Sequence, residues 1–185
     1  IDSINTMHLV WADFTPGNYE VYYKRSTDGG ATWTPPKRLT WTTGWSSFPA
    51  IGIDSTGGLH VVWLLDDDWA DDMEISYKRS GDGGITWTPA RVLTWNSGDC
   101  YIPAMAIDSS DGIHIVWEDF TPGNWEVYYK SSPDVGLNWI PAKRLTWSSG
   151  NSSVPANAID STSMVHVVWN DDTPTDFEIY YKKGK

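Results

Sequence analysis

A single cysteine, Cys100, in 185 residues excludes an intrachain disulfide, so packing alone has to hold the fold. No apolar run approaches the length of a membrane-spanning helix, and membrane insertion is not expected. Basic residues are scarce: 13 Lys and Arg stand against 24 Asp and Glu, a formal net charge of -11. That balance argues against nucleic acid and against an anionic membrane surface, both of which call for clustered Lys and Arg; the acidity itself reads as a solubility feature. No stretch keeps a 3.6-residue apolar period, so helix is not expected. An initial Met and a basic-plus-apolar leader are also missing, and the chain is expected to be processed or cut from something longer.

Tryptophan and repetition are abundant instead. The runs His8-Leu9-Val10-Trp11, His60-Val61-Val62-Trp63, His114-Ile115-Val116-Trp117 and His166-Val167-Val168-Trp169 contain all four histidines, spaced 52, 54 and 52 residues apart. With Ile-Asp-Ser as the marker, copies occupy 1–52, 53–106, 107–158 and 159–185. Each complete copy reads as four strands. In the third they are A (Pro103 to Asp108), B (Ile113 to Trp117), C (Trp125 to Lys130) and D (Lys143 to Trp147), separated by Gly, Pro, Asn and Asp. Strand B is apolar on both faces, with Leu59, Val61 and Trp63 on one side and His60 and Val62 on the other, so its sheet should be stacked between two others. The expected fold is all-β, a β-propeller of four-stranded antiparallel blades, about three and a half repeats long. Two complete blades should be flanked by incomplete ones. A larger propeller of about six to eight blades, or completion by strands of another chain in a homo-oligomer, is the corresponding expectation.

Between strands C and D lies a second signature: Ser26-Thr27-Asp28-Gly29-Gly30-Ala31-Thr32-Trp33, Ser80-Gly81-Asp82-Gly83-Gly84-Ile85-Thr86-Trp87, and the looser Ser132-Pro133-Asp134-Val135-Gly136-Leu137-Asn138-Trp139. It resembles the Asp-box (bacterial neuraminidase repeat) motif of sialidase-like β-propellers, and the three matches span essentially the whole chain. The resemblance implies a structural hairpin on the face away from the active site. There Asp28, Asp82 and Asp134 should accept turn N–H groups, Gly30, Gly84 and Gly136 should supply unusual dihedrals, and Trp33, Trp87 and Trp139 should plug the gap between blades. Sialidases also carry three substrate-binding arginines, a Tyr nucleophile primed by a Glu, an Asp acid/base and a Phe/Tyr-Arg-Ile-Pro segment; no such segment occurs here. The arginines form periodic sets, Arg38/Arg91/Arg144 and Arg25/Arg79, and the first set is expected to pair across strands with Glu20, Glu74 and Glu126.

A ring of four histidines could hold a metal, but without Cys or Glu at matching spacing each His is expected to pack between blades and donate to a backbone carbonyl. Asp66, Asp67 and Asp68, with Asp71 and Asp72, are a weak Ca²⁺ candidate; a solvated loop is the favoured reading. No metal and no cofactor is therefore expected. Of the tryptophans, only Trp45 and Trp69 lack counterparts in other copies. Both fall on loops of the face opposite the Asp boxes, where exposed Trp beside Asp and Asn can stack on a sugar ring, and Tyr101 and Phe48 could rim the same face. The leading expectation is a non-catalytic, secreted or cell-surface module that binds glycans. The alternatives are a fragment of an exo-sialidase or other glycoside hydrolase with catalytic residues elsewhere, and a structural repeat of a surface protein.

Overall fold

The computed structural model describes residues 1–66, 73–95, 98–173 and 176–184. Among these residues there are fourteen strands in four antiparallel sheets and no helix. The first sheet contains β1 (Met7–Asp13), β2 (Glu20–Ser26) and β3 (Lys37–Arg38). The second contains β4 (Trp45–Ile53), β5 (Leu59–Asp66), β6 (Glu74–Ser80) and β7 (Arg91–Val92). The third repeats it with β8 (Cys100–Ile107), β9 (Ile113–Asp119), β10 (Glu126–Ser132) and β11 (Lys143–Arg144). The fourth contains β12 (Ser152–Ile159), β13 (Val165–Asp171) and β14 (Glu178–Gly184). Strand order follows chain order in every sheet, which is the up-and-down blade of a β-propeller. Two four-stranded blades are flanked by two three-stranded ones, as the repeat predicts.

Two strands differ from expectation. Strand A starts three residues earlier than Pro103 and carries a bulge, between Tyr101 and Ala104 in β8, with the same irregularity in β4 and β12. Phe48, Ile102 and Val154 sit in these bulges at φ of 49°, 48° and 52°, each followed by a proline that has no N–H for the ladder. Strand D is shorter, because its ladder stops after two residues. Beyond it Leu39, Leu93 and Leu145 donate to Val21, Ile75 and Val127, at 2.7 Å each. The hydroxyls of Thr40, Thr94 and Thr146 accept the N–H of the same three residues at 2.9 Å.

The blades stack through both faces of strand B. Leu59, Val61 and Trp63 pack on Val21, Tyr23 and Leu39 of the first blade. Val62, with Ile75, Tyr77 and Leu93, packs on Ile113, Ile115 and Trp117 of the third. Trp63 and Trp117 are each 1% exposed; burying a Trp side chain of about 150–250 Å² stabilises by roughly 4–6 kcal/mol gross. The repeated Lys and Arg links between blades end on main-chain carbonyls. Lys78, Lys130 and Lys182 donate back to the carbonyls of Leu39, Leu93 and Leu145 (2.6–2.7 Å), and Arg25 and Arg79 donate forward to Gly83 (2.7 Å) and Val135 (3.1 Å).

Two readings of the sequence need correction. Arg38 and Arg144 do pair with Glu20 and Glu126, at 2.8 and 2.7 Å. Arg91 does not occupy their position: it faces Tyr77 in the register, as Lys37 faces Tyr23, while Val92 holds the place of Arg38. A one-residue slip turns a side chain to the opposite face, and Arg91 donates to the Leu137 carbonyl of the next blade at 3.0 Å. The histidines do not donate to backbone either. In each blade the Nε2 atom lies 3.0–3.2 Å from the carboxylate of Asp2, Asp54, Asp108 or Asp160. Nδ1 lies 2.7–2.8 Å from the phenol of Tyr23, Tyr77, Tyr129 or Tyr181. An ionised carboxylate only accepts, so the imidazole carries its proton on Nε2 and takes the phenol proton on Nδ1.

Candidate functional site

The C–D hairpins use their chemistry internally. Ser26 Oγ accepts from Gly30 N (2.9 Å) and donates to Asp28 (2.7 Å), whose carboxylate accepts from Thr32 N (2.8 Å) and from the Thr32 hydroxyl. Ser80, Asp82, Gly84 and Thr86 repeat the pattern. In the third hairpin Asn138 replaces the Thr and donates to Asp134 from both its backbone and its amide. These bonds, the Thr hydroxyl first and its N–H next, hold the Asp28 and Asp82 carboxyls down at about 2. Gly30, Gly84 and Gly136 have φ of 91°, 86° and 85°. The rings of Trp87 and Trp139 meet Tyr23 and Tyr77 of the preceding blade edge-on, at 5.4 and 5.1 Å. The Ser, Asp and Thr or Asn side chains of each hairpin are bonded to one another and to N–H groups of the turn, as a structural hairpin requires.

The other end of the blades is where the copies differ. Trp45 opens β4, half exposed at 51%, where the later copies have Asp99 and Asn151. Tyr19 meets it edge-on at 6.3 Å and is itself packed on Phe14 at 5.1 Å. Its partner in the ladder is Asp66, at the end of β5. Tyr101 is the second residue of β8, where the other copies have Ser47 and Ser153, and it lies opposite Glu118. Its ring packs on Trp125 at 5.5 Å, and Trp125 on Phe120 at 5.0 Å. Burial raises the Tyr101 phenol, and the carboxylates of Asp99, Asp66 and Glu118 raise it further. The strand-A starts thus bring Trp45, Tyr101 and three carboxylates from two adjacent blades to one end of the molecule.

Sequence reasoning missed Glu118. It follows the repeated Trp, where the other copies carry Ala12, Leu64 and Asn170, so its signal was a carboxylate in an otherwise uncharged column. Its Oε2 accepts from Val154 N of the fourth blade at 2.7 Å, and burial nonetheless pushes the carboxyl above its ordinary value. Trp69, Asp67 and Asp68 lie outside the described residues, as do Asp71 and Asp72. Phe48 is exposed in the bulge of β4. Among the described residues no group of three or more His, Cys, Asp or Glu is placed to hold a metal. Cys100 is a buried free thiol at the position of Ser46 and Ser152, with its sulfur 3.5 Å from Asp119.

No protein-family model matches the chain, and no curated protein matches it. Solved structures do. The α-L-arabinofuranosidase of Fusarium graminearum, in complex with an iminosugar inhibitor, superposes with a TM-score of 0.79 at 15% identity, over 100% of this chain and 60% of that one. The Penicillium chrysogenum α-L-arabinanase complexed with arabinobiose gives a TM-score of 0.75 at 16% identity, over 99% of this chain and 60% of that one. A Hadza microbial sialidase gives 0.67 at 15% identity, over 89% and 38%. The chain therefore spans about 60% or less of these enzymes, and the likeness is one of fold: a β-propeller of the kind found in sialidases and arabinan-degrading glycoside hydrolases.

Proposed function

We propose that this chain is part of an extracellular or cell-surface Asp-box propeller that binds glycans at the end of the blades bearing Trp45. The observation that carries the reading is that Trp45, Tyr101, Asp99 and Glu118, none of which recurs in another copy, lie with Asp66 at the strand-A ends of two adjacent blades. Aromatic rings there offer sugar-stacking faces, and carboxylates offer acceptors for ring hydroxyls. The arabinobiose and iminosugar found in the similar propellers support a carbohydrate ligand. Further blades of a longer chain, or a second copy, would complete the ring. Binding of the intact chain to immobilised arabino-oligosaccharides and sialosides tests this. Trp45→Ala and Tyr101→Ala should each weaken binding about tenfold or more, in line with about 1–1.5 kcal/mol for an aromatic contact. Trp41→Ala, on the opposite strand edge, should leave binding unchanged. Equal binding by all four proteins would place the ligand elsewhere.

One observation favours a hydrolytic second reading. Glu118, with its carboxyl raised by burial and a tyrosine opposite it, is the candidate general acid of such a reading. Turnover of aryl arabinosides or sialosides, abolished in Glu118→Gln, would establish it. Binding without turnover leaves the non-catalytic reading standing.

A further inference from the structure

The outer edge of the second blade departs from the repeat in a second, separate way. In the first and third blades the strand-D tryptophan is capped by cations. Arg38 and Lys78 stand 5.6 and 5.8 Å from the Trp41 ring centre, and Arg144 and Lys182 stand 5.7 and 5.5 Å from that of Trp147. In the second blade Val92 replaces the arginine, and among the described residues no cation lies over Trp95. Its exposure rises to 82%, against 68% for both counterparts. Beside it opens a cleft of about 570 Å³, bounded by Arg91, Val92 and Leu93 of one blade and by Lys130 and Trp139 of the next. That volume lies within the range of small-molecule sites.

The cleft is also locally basic on an acidic chain. Arg91 uses one N–H on the Leu137 carbonyl and Lys130 one on the Leu93 carbonyl, and both keep further donors. Neither has an acidic partner among the described residues, unlike Arg38 and Arg144. Burial lowers the Lys130 amine, and the charge of Arg91 lowers it further, so the two cations repel one another across the cleft. An anion between them would relieve that repulsion.

We propose that this groove binds an acidic sugar, with the ring stacked on Trp95 and its carboxylate held between Arg91 and Lys130. The site lies on the outer strand edge, shares no residue with the Trp45 face and does not depend on it. Calorimetric titration of the intact chain with trigalacturonate, and with the fully methyl-esterified trimer as the neutral control, tests the proposal at low salt. The acid should bind at least about tenfold more tightly than the ester. Trp95→Ala and Lys130→Met should each weaken the acid about tenfold, and added salt should weaken it in the wild type. Trp45→Ala should bind the acid as the wild type does. Lys130→Met removes a link between blades, so Arg91→Gln is the companion variant, and a thermal melt checks that each is folded. Acid and ester binding alike, no binding of the acid, or full binding by folded Trp95→Ala would each overturn the assignment.

Discussion

Replacing the second hairpin glycine by alanine separates backbone strain from blade packing, because the same motif occurs once beside open space and twice against a neighbour. Gly30, Gly84 and Gly136 have nearly the same positive φ. An L side chain there costs about 1–2 kcal/mol in all three. A Cβ on Gly30 would meet Met7 Sδ at 3.5 Å, an ordinary contact. On Gly84 it would lie 2.4 Å from the Tyr23 ring and hydroxyl, and on Gly136 2.0 Å from the Tyr77 hydroxyl. Neither ring can move away freely: both are buried, and both phenols are hydrogen-bonded to histidine at 2.7–2.8 Å. Overpacking adds about 1–3 kcal/mol, and breaking the phenol–imidazole bond adds about 1 kcal/mol. The expected losses are therefore about 1–2 kcal/mol for Gly30→Ala and about 3–6 kcal/mol for Gly84→Ala and Gly136→Ala. Urea unfolding followed by Trp fluorescence reads the difference as a midpoint gap of about 1 M, for a slope near 3 kcal/mol/M. If the three variants unfold within about 0.2 M of one another, the tyrosine contact does not limit the hairpin, and the account of blade stacking given above fails.

Other outcomes follow from the same structure. Trp117 donates to Asp119 at 3.1 Å, whereas Leu65 occupies the matching position in the second blade and the Trp63 indole N–H is buried without an acceptor. Trp117→Phe should therefore destabilise more than Trp63→Phe, by about 1–2 kcal/mol in parallel urea titrations; equal losses would refute it. Burial holds His60 below its ordinary value of 6.5, with Asp54 opposing. The unfolded chain then binds the extra proton first, so this contribution is complete above about pH 6.5 and declines as the pH falls toward the folded value. His60→Gln should flatten the pH dependence of the urea midpoint over that window. Carbon-13 titration of the carboxyls should find Asp28 and Asp82 near 2, below the ordinary 3.8, so their contribution is present above 3.8 and lost as the pH falls toward 2. Glu118 is raised, so its penalty to folding grows as the pH rises above the ordinary 4.5 and is complete above the folded value. Glu118→Gln keeps an acceptor for Val154 and should leave the protein as stable or more stable at neutral pH.

Strands B and C were readable because their side chains alternate over a run long enough to show a period: Leu59, Val61 and Trp63 against His60 and Val62. Strand D was not, since only two of its residues enter the ladder and the rest are held by a threonine hydroxyl. The bulges of strand A were hidden for another reason. Phe48, Ile102 and Val154 are poor residues for positive φ, and tertiary packing places them there against their own preference. Register was the weak point in the second copy: pairing Arg91 with Arg38 overlooked the shared Leu-Thr-Trp that follows, which sets Val92 at the place of Arg38, as the pairing with Tyr77 and Ser76 shows. The Asp–His–Tyr relay was legible in principle: an Asp stands six residues before every histidine. At the candidate site Trp45 stood out as an exception to the repeat, and Tyr101 was placed on the same rim. Glu118 did not, because a single carboxylate beside a repeated Trp looks like drift until burial and its bond to Val154 are seen.

Six links between blades, all from Lys or Arg, terminate on carbonyl oxygens of Leu39, Leu93, Leu145, Gly83, Val135 and Leu137. A carbonyl is the one acceptor that no point mutation removes, so this part of a blade's address to its neighbour is written in backbone geometry, while copy-specific links such as Ser55 to Asp111 and Val154 to Glu118 use side-chain carboxylates. A unit of about 52 residues can then be duplicated or lost in evolution without matched changes on the adjoining unit. Side chains released from that duty are free to diverge, and divergence confined to single copies is how a uniform array acquires a Trp45, a Glu118 or an uncapped Trp95.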